Sequence, residues 1–129
     1  MSLFLRIIIA AGGADGTSFS QRTFENYHES VELLHFDEDN SRFKIEQSLE
    51  LPVKLRDMGF FVKDSSLYLT GGWNPTFFNA TKKIGSVKSD IYKIECNANG
   101  CSLKTLESSL KKPKDTHISL PIPSDLANC

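Results

Sequence analysis

At 129 residues the chain is long enough for one domain with a sizeable core. Lys and Arg number 15 against 16 Asp and Glu, which excludes an overall field drawing it to nucleic acid or an anionic membrane, and no apolar run reaches bilayer length. Nine Phe and three Tyr, with Val, Ile and Thr in short runs, favour strands, so the chain is read as mostly β.

Leu3 to Ala11 is apolar, but Arg6 interrupts it where a secretory signal would be uncharged, so the segment reads as a strand closed by Gly12-Gly13. Ala14 to Glu29 is polar, lacks a helical period and reads as a long loop. Val31 to Phe36 is apolar on much of both faces, as a central strand would be, and it ends in the turn cluster Asp37-Glu38-Asp39-Asn40. Phe43 to Glu46 alternates as a half-exposed outer strand. Met58 to Val62 and Leu67 to Thr70 form a hairpin about Lys63-Asp64-Ser65-Ser66, and the second of these strands runs into Gly71-Gly72. Trp73 to Lys88 reads as a second long loop, Ile91 to Ile94 as a strand, Asn97 to Gly100 as a turn into Ser102 to Glu107, and His117 to Leu120 as a last short strand before Pro121 and Pro123. The double glycines stand 59 residues apart (71 − 12), with matching segments on either side, so the chain is an internal repeat.

Little in the sequence points to catalysis. His28, His35 and His117 are scattered without metal-ligand spacing, so neither a metal nor a cofactor is expected. Asp37 to Asp39 could serve as an acid pair or a Ca²⁺ site, although a solvated turn explains them more simply, and no Gly-x-Ser-x-Gly elbow occurs. An odd number of cysteines argues for reduced thiols and a cytoplasmic location. Cys96 and Cys101 could meet across a hairpin, but two unpaired structural cysteines are the preferred expectation. Asn79-Ala80-Thr81 fits a glycosylation acceptor and matters only if the chain is secreted. Lys111-Lys112-Pro113-Lys114 reads as a solvated loop between units rather than an import signal.

The repeated segments resemble the kelch repeat, in which a blade opens with Arg or Lys followed three residues later by His or Gly. A strand closed by two glycines comes next, then a strand ending in Tyr-Asp, and then one starting at Trp. Arg56 and Gly59 open one such unit, Tyr68-Leu69-Thr70-Gly71-Gly72 closes its second strand, and Ile94-Glu95 stands at the Tyr-Asp position. In the preceding unit Gly12 and Gly13 close the second strand, Phe36-Asp37 ends the third, and Phe43 takes the tryptophan position; Lys114 and His117 open a further unit. Leu103 departs from the pattern, standing for tryptophan eight residues after Glu95.

The resemblance implies an all-β fold of four-stranded antiparallel propeller blades in an incomplete propeller. Residues 1–52 would be a partial first blade, 53–110 a second, and 111–129 the start of a third. Gly12-Gly13 lies so near Met1 that the first unit has no room for an opening strand, so the chain is expected to start inside a blade. On this reading Gly12, Gly13, Asp37, Phe43, Arg56, Gly59, Gly71, Gly72 and His117 are structural, with the aromatic at Phe43 buried between blades. Both long loops follow the same strand of their units, so they would share one face. Arg22, Tyr27, Trp73, Phe77 and Phe78 are therefore expected to contact a partner protein, as aromatic and Arg side chains do at hot spots. The repeats look most like those behind BTB domains in substrate adaptors of cullin ubiquitin ligases. An oxidase or sugar-isomerase propeller, or a secreted propeller, are the rival readings, and uncovered blade faces leave the chain open to self-association.

Overall fold

A computed structural model describes residues 7–15, 26–77, 83–120 and 122, and among these the chain is all-β with antiparallel sheets and no α-helix. Among the described residues no helix is long and apolar enough to cross a membrane. The first sheet orders β1 (Ile7–Ala11), β2 (Ser30–Asp37) and β3 (Arg42–Glu50) as a meander. The second orders β4 (Gly59–Lys63), β5 (Ser66–Thr70), β8 (Asp90–Asn97) and β9 (Gly100–Ser109). Between β5 and β8 the chain makes a separate two-stranded sheet of β6 (Trp73–Phe77) and β7 (Lys83–Val87). The segment expected to be the second long loop is thus a hairpin. Pro75 sits in it without cost to a ladder because both of its strands are edges.

Hydrophobic alternation decides how the large sheets meet. Val31 and Leu33 on β2 face Leu67 and Leu69 on β5 and Tyr92 and Ile94 on β8, with Leu51 and Leu55 from the connecting segment closing the cluster. Each fully buried aliphatic side chain here contributes about 1.5–3 kcal/mol. The opposite face of the first sheet is apolar too, with Ile8, Leu34 and Ile45 in cross-strand register and Phe36 against Phe43 at 5.1 Å. Phe43, expected to be buried, is 49% exposed, because no described element packs over that face.

The repeat is visible in the main-chain hydrogen bonds, with equivalent groups 59 residues apart at the glycines, Leu55/Lys114 and Leu51/Leu110 and 60 apart at His28/Lys88, Glu29/Ser89 and Ser30/Asp90. Gly12 donates to Ser30 O and Gly13 to Leu55 O, at 2.8 and 2.7 Å; Gly71 and Gly72 donate to Asp90 O and Lys114 O, at 2.9 and 2.7 Å. His28 donates to Gly13 O as Lys88 does to Gly72 O, and Leu51 to Glu29 O as Leu110 does to Ser89 O. Asp57 and Thr116, also 59 apart, both take positive φ. Each glycine pair therefore docks its strand end on the segment that leads toward the next unit.

The turns follow their residues. Asp37 caps its own turn, its carboxylate accepting from Asp39 N and Asn40 Nδ2 and pairing with Lys44 at 2.8 Å. Those partners, Asn40 foremost and then Lys44, hold the Asp37 carboxyl below its ordinary value. Asp64 and Ser65 form a two-residue hairpin loop with φ of 50° and 63°, the double positive φ of a type I′ turn. Ser65→Gly relieves the strain of an L-residue there and is expected to stabilise the protein by about 0.5–1 kcal/mol. A thermal melt that rises by a few degrees shows it; an unchanged or lower midpoint removes strain at Ser65 as the explanation.

Gln47 joins the two large sheets. A β-bulge between Leu33 and Leu34 shifts the register on β3, and Gln47 Nε2 donates to Cys101 O at 2.6 Å while its Oε1 accepts from Cys101 N at 2.8 Å. Cys101 is disulfide-bonded to Cys96 directly across the β8–β9 hairpin. The expectation of unpaired cysteines is corrected: the Asn97–Gly100 turn sets Cys96 opposite Cys101 with Cα atoms 4.0 Å apart. That pairing also removes the premise from which a cytoplasmic location followed.

Candidate functional site

The candidate site is built at the ends of β1 and β5, where the glycine pairs release the two insertions. A Cβ on Gly12 would lie 2.2 Å from Leu55 O and one on Gly71 2.2 Å from Lys114 O, so only glycine lets the strand end approach the docking segment. Past Gly13 the chain pairs again, Ala14 bridging Tyr27 and Asp15 N donating to Asn26 O at 2.8 Å. Past Gly72 it enters β6, whose first residue, Trp73, bridges Arg56 through main-chain bonds of 2.9 and 3.1 Å. Trp73 also pairs with Val87 across β6 and β7, the counterpart of Ala14 with Tyr27, so both insertions begin with the same antiparallel base.

Those bases are packed together. The Tyr27 ring lies 5.6 Å from Trp73, tilted by 55°, and the Arg56 guanidinium sits 4.6 Å over the indole on a cation–π contact. Gly85, across from Pro75 on β7, makes room for the indole, since a Cβ there would come within 2.1 Å of Trp73 Cζ2. Arg56 also pairs with Asp57 at 3.3 Å. The rim is polar: Asp15 Oδ1 accepts from Asn26 Nδ2 at 2.7 Å and Asp15 Oδ2 lies 2.8 Å from His28 Nε2, all of it exposed. A groove of about 520 Å³ opens beside it, with Glu29, Glu50, Val53 and Pro75 among its walls, and Asn74 Nδ2 donates to Lys54 O at its edge.

The residues expected to meet a partner are sorted by this geometry. Tyr27 is corrected: it is 0% exposed and packs under Trp73, because it belongs to the base of its insertion and not the tip. Trp73 is half-buried between Tyr27 and Arg56. Phe77 ends β6 opposite Lys83, and Arg22 and Phe78 lie outside the described residues. Asp15 and Asn26 had no signal in the sequence and His28 stood out only as a possible metal ligand, since only the long-range Ala14 to Tyr27 pairing brings the three together.

Two other polar groupings lie on the second sheet. Around Gly59, Thr70 Oγ1 is hydrogen-bonded to His117 Nε2 at 2.8 Å and Ser119 Oγ at 2.6 Å, which ties residues 117–119 to β5; a Cβ on Gly59 would meet all three atoms. On the outer face of the second sheet Lys93 pairs with Glu95 at 2.5 Å and lies over Tyr68, which stacks on Phe61 at 4.9 Å. The Lys93 ammonium lowers the Glu95 pKa, and Glu95 raises that of Lys93. Burial, with the Asp90 charge second, raises the Tyr92 phenol. Among the described residues no three His, Cys, Asp or Glu side chains are grouped as a metal site would need. No family model matches the chain, and no curated protein does.

Proposed function

We propose that the chain is a protein–protein interaction module made of kelch-type blade units and that its partner meets the insertion end of the sheets. The observation that carries this reading is the fusion of the two insertion bases through Tyr27, Trp73 and Arg56, which makes one surface out of two separate loops. The four-stranded meander and the 59-residue repeat of its hydrogen bonds support the blade reading. On the same reading Arg22, Phe77 and Phe78 reach the partner, while Tyr27 and Trp73 support them from beneath. In a BTB-kelch setting the partner would be a substrate delivered to a cullin ubiquitin ligase.

A photo-crosslinking residue placed at His28 is expected to capture a defined partner, and one at Lys104 on the distant β9 is not. Asp15→Lys in that same chain should abolish the capture without moving the thermal midpoint, because the side chain is exposed. Equal capture from both positions, or stoichiometric copper in the purified protein, would overturn the reading.

The Cys96–Cys101 bond favours a second reading, a propeller piece of an oxidising compartment. Intact mass before and after reductant decides it. A gain of two hydrogens in protein taken directly from its native compartment places the module there, and no gain returns it to a reducing one.

A further inference from the structure

Strands β1, β2 and β3 correspond to β5, β8 and β9, which leaves β4 without a counterpart in the first sheet, and a segment of the following unit complements that gap. Strand β1 corresponds to β5, since Ala11 precedes Gly12 as Thr70 precedes Gly71. Strand β5 is covered on its outer side by β4, whereas β1 has no such neighbour among the described residues. The counterpart of β4 in the following unit is residues 118–122. It follows the Lys114–His117 segment docked on Gly71-Gly72, as β4 follows the Leu55–Met58 segment docked on Gly12-Gly13. Among the described residues the chain therefore carries one β1 edge without a strand and one segment without an edge.

Side-chain chemistry agrees with the register. Ile118, Leu120 and Ile122 are 86%, 77% and 62% exposed and recur at every second residue, which is the pattern of one strand face with nothing packed on it. Carrying the β4–β5 pairing over by 59 residues sets Ile118 opposite Ala11, Leu120 opposite Ile9 and Ile122 opposite Ile7. Opposed residues share a face, and Ile7, Ile9 and Ala11 line an apolar groove of about 400 Å³ whose far wall includes Phe60, Leu67 and Leu69. The three exposed side chains would enter that groove. Within one molecule Ser119 is held at Thr70, on the face of the second sheet turned away from β1.

We propose that residues 118–122 of one copy add as a strand to β1 of a second copy, completing its first sheet and filling the groove beside it. The apolar face of Ile8, Leu34 and Ile45 would then lie against the Phe61 and Tyr68 face of the donor's second sheet, in the relation the two sheets already have within one chain. Such contacts are head to tail, and they continue until a ring closes. This inference rests on the register alone and stands apart from the kelch reading.

The test uses the full chain with Cys129→Ser, Ala11→Cys and Ile118→Cys. Oxidation is expected to link different copies, seen as oligomers on a non-reducing gel. Sedimentation of the otherwise unaltered chain should show association that grows with concentration, and Leu120→Asp should weaken it roughly tenfold or more while leaving the monomer folded. A chain that stays monomeric, association that survives Leu120→Asp, or a cross-link confined to single chains would each overturn the proposal.

Discussion

Gly12→Ala is expected to cost about 3–5 kcal/mol, while Gly13→Ala, one residue on, costs about 1–2 kcal/mol. Both glycines have positive φ, 62° and 94°, so both variants carry the strain of an L-residue in the left-handed region. They differ in what a methyl group meets. At Gly13 nothing lies within 4 Å, but at Gly12 the new carbon would stand 2.2 Å from Leu55 O. No rotamer relieves a clash with main chain, so the segment must move, which breaks the Gly13 N to Leu55 O bond and lifts the fully buried Leu55 out of the core. Against a typical domain stability of about 5–15 kcal/mol the loss is large. Urea unfolding should show it as a shifted midpoint at constant slope. Equal losses at the two positions would mean that close approach of strand end and segment does not hold the sheets together. Gly71→Ala creates the same 2.2 Å clash, with Lys114 O, but the displaced segment is mostly exposed, so local release of residues 114–120 is expected and not global unfolding.

The second large effect concerns Tyr27. Its fully buried ring fills the space under Trp73, and Tyr27→Ala should cost about 3–5 kcal/mol, with Tyr27→Phe below about 1.5 kcal/mol because the volume is kept. Trp73 is the chain's one tryptophan, so its fluorescence reports on the same contact, and the emission of Tyr27→Ala should move to the red as the indole gains water. A Tyr27 that served only to touch a partner would lose binding and leave both stability and emission unchanged.

The strands whose neighbours lie close in sequence were legible. A run apolar on both faces marked β2, hairpin spacing marked β5 and alternation marked β8, and the paired glycines marked where β1 and β5 end, because a run closed by two residues free to take positive φ has few other uses. The β6–β7 hairpin was not legible: Trp73-Asn74-Pro75 looks like a loop until its pairing with β7 is known. His117 to Leu120 shows the reverse. It reads as a strand, yet a strand exists only with a partner, and these residues join no ladder among the described residues. At the candidate site, aromatic loop residues suggested contact with a partner, but whether a ring lies at the tip or the base of an insertion depends on long-range pairing that composition does not carry. The cysteine count failed for a similar reason: it speaks of the whole chain, whereas Cys96 and Cys101 are brought together by one local turn.

Gln47 bears on how the molecule can be watched coming apart. Strand β9 is the outer edge of its sheet, and the Cys101 N–H and C=O point away from β8 to a side-chain amide on the other sheet. Fraying of the β8–β9 hairpin alone would leave that amide proton bound, whereas parting of the sheets would free it. Hydrogen exchange at this one position therefore measures the free energy of sheet separation, apart from the local openings that govern its neighbours.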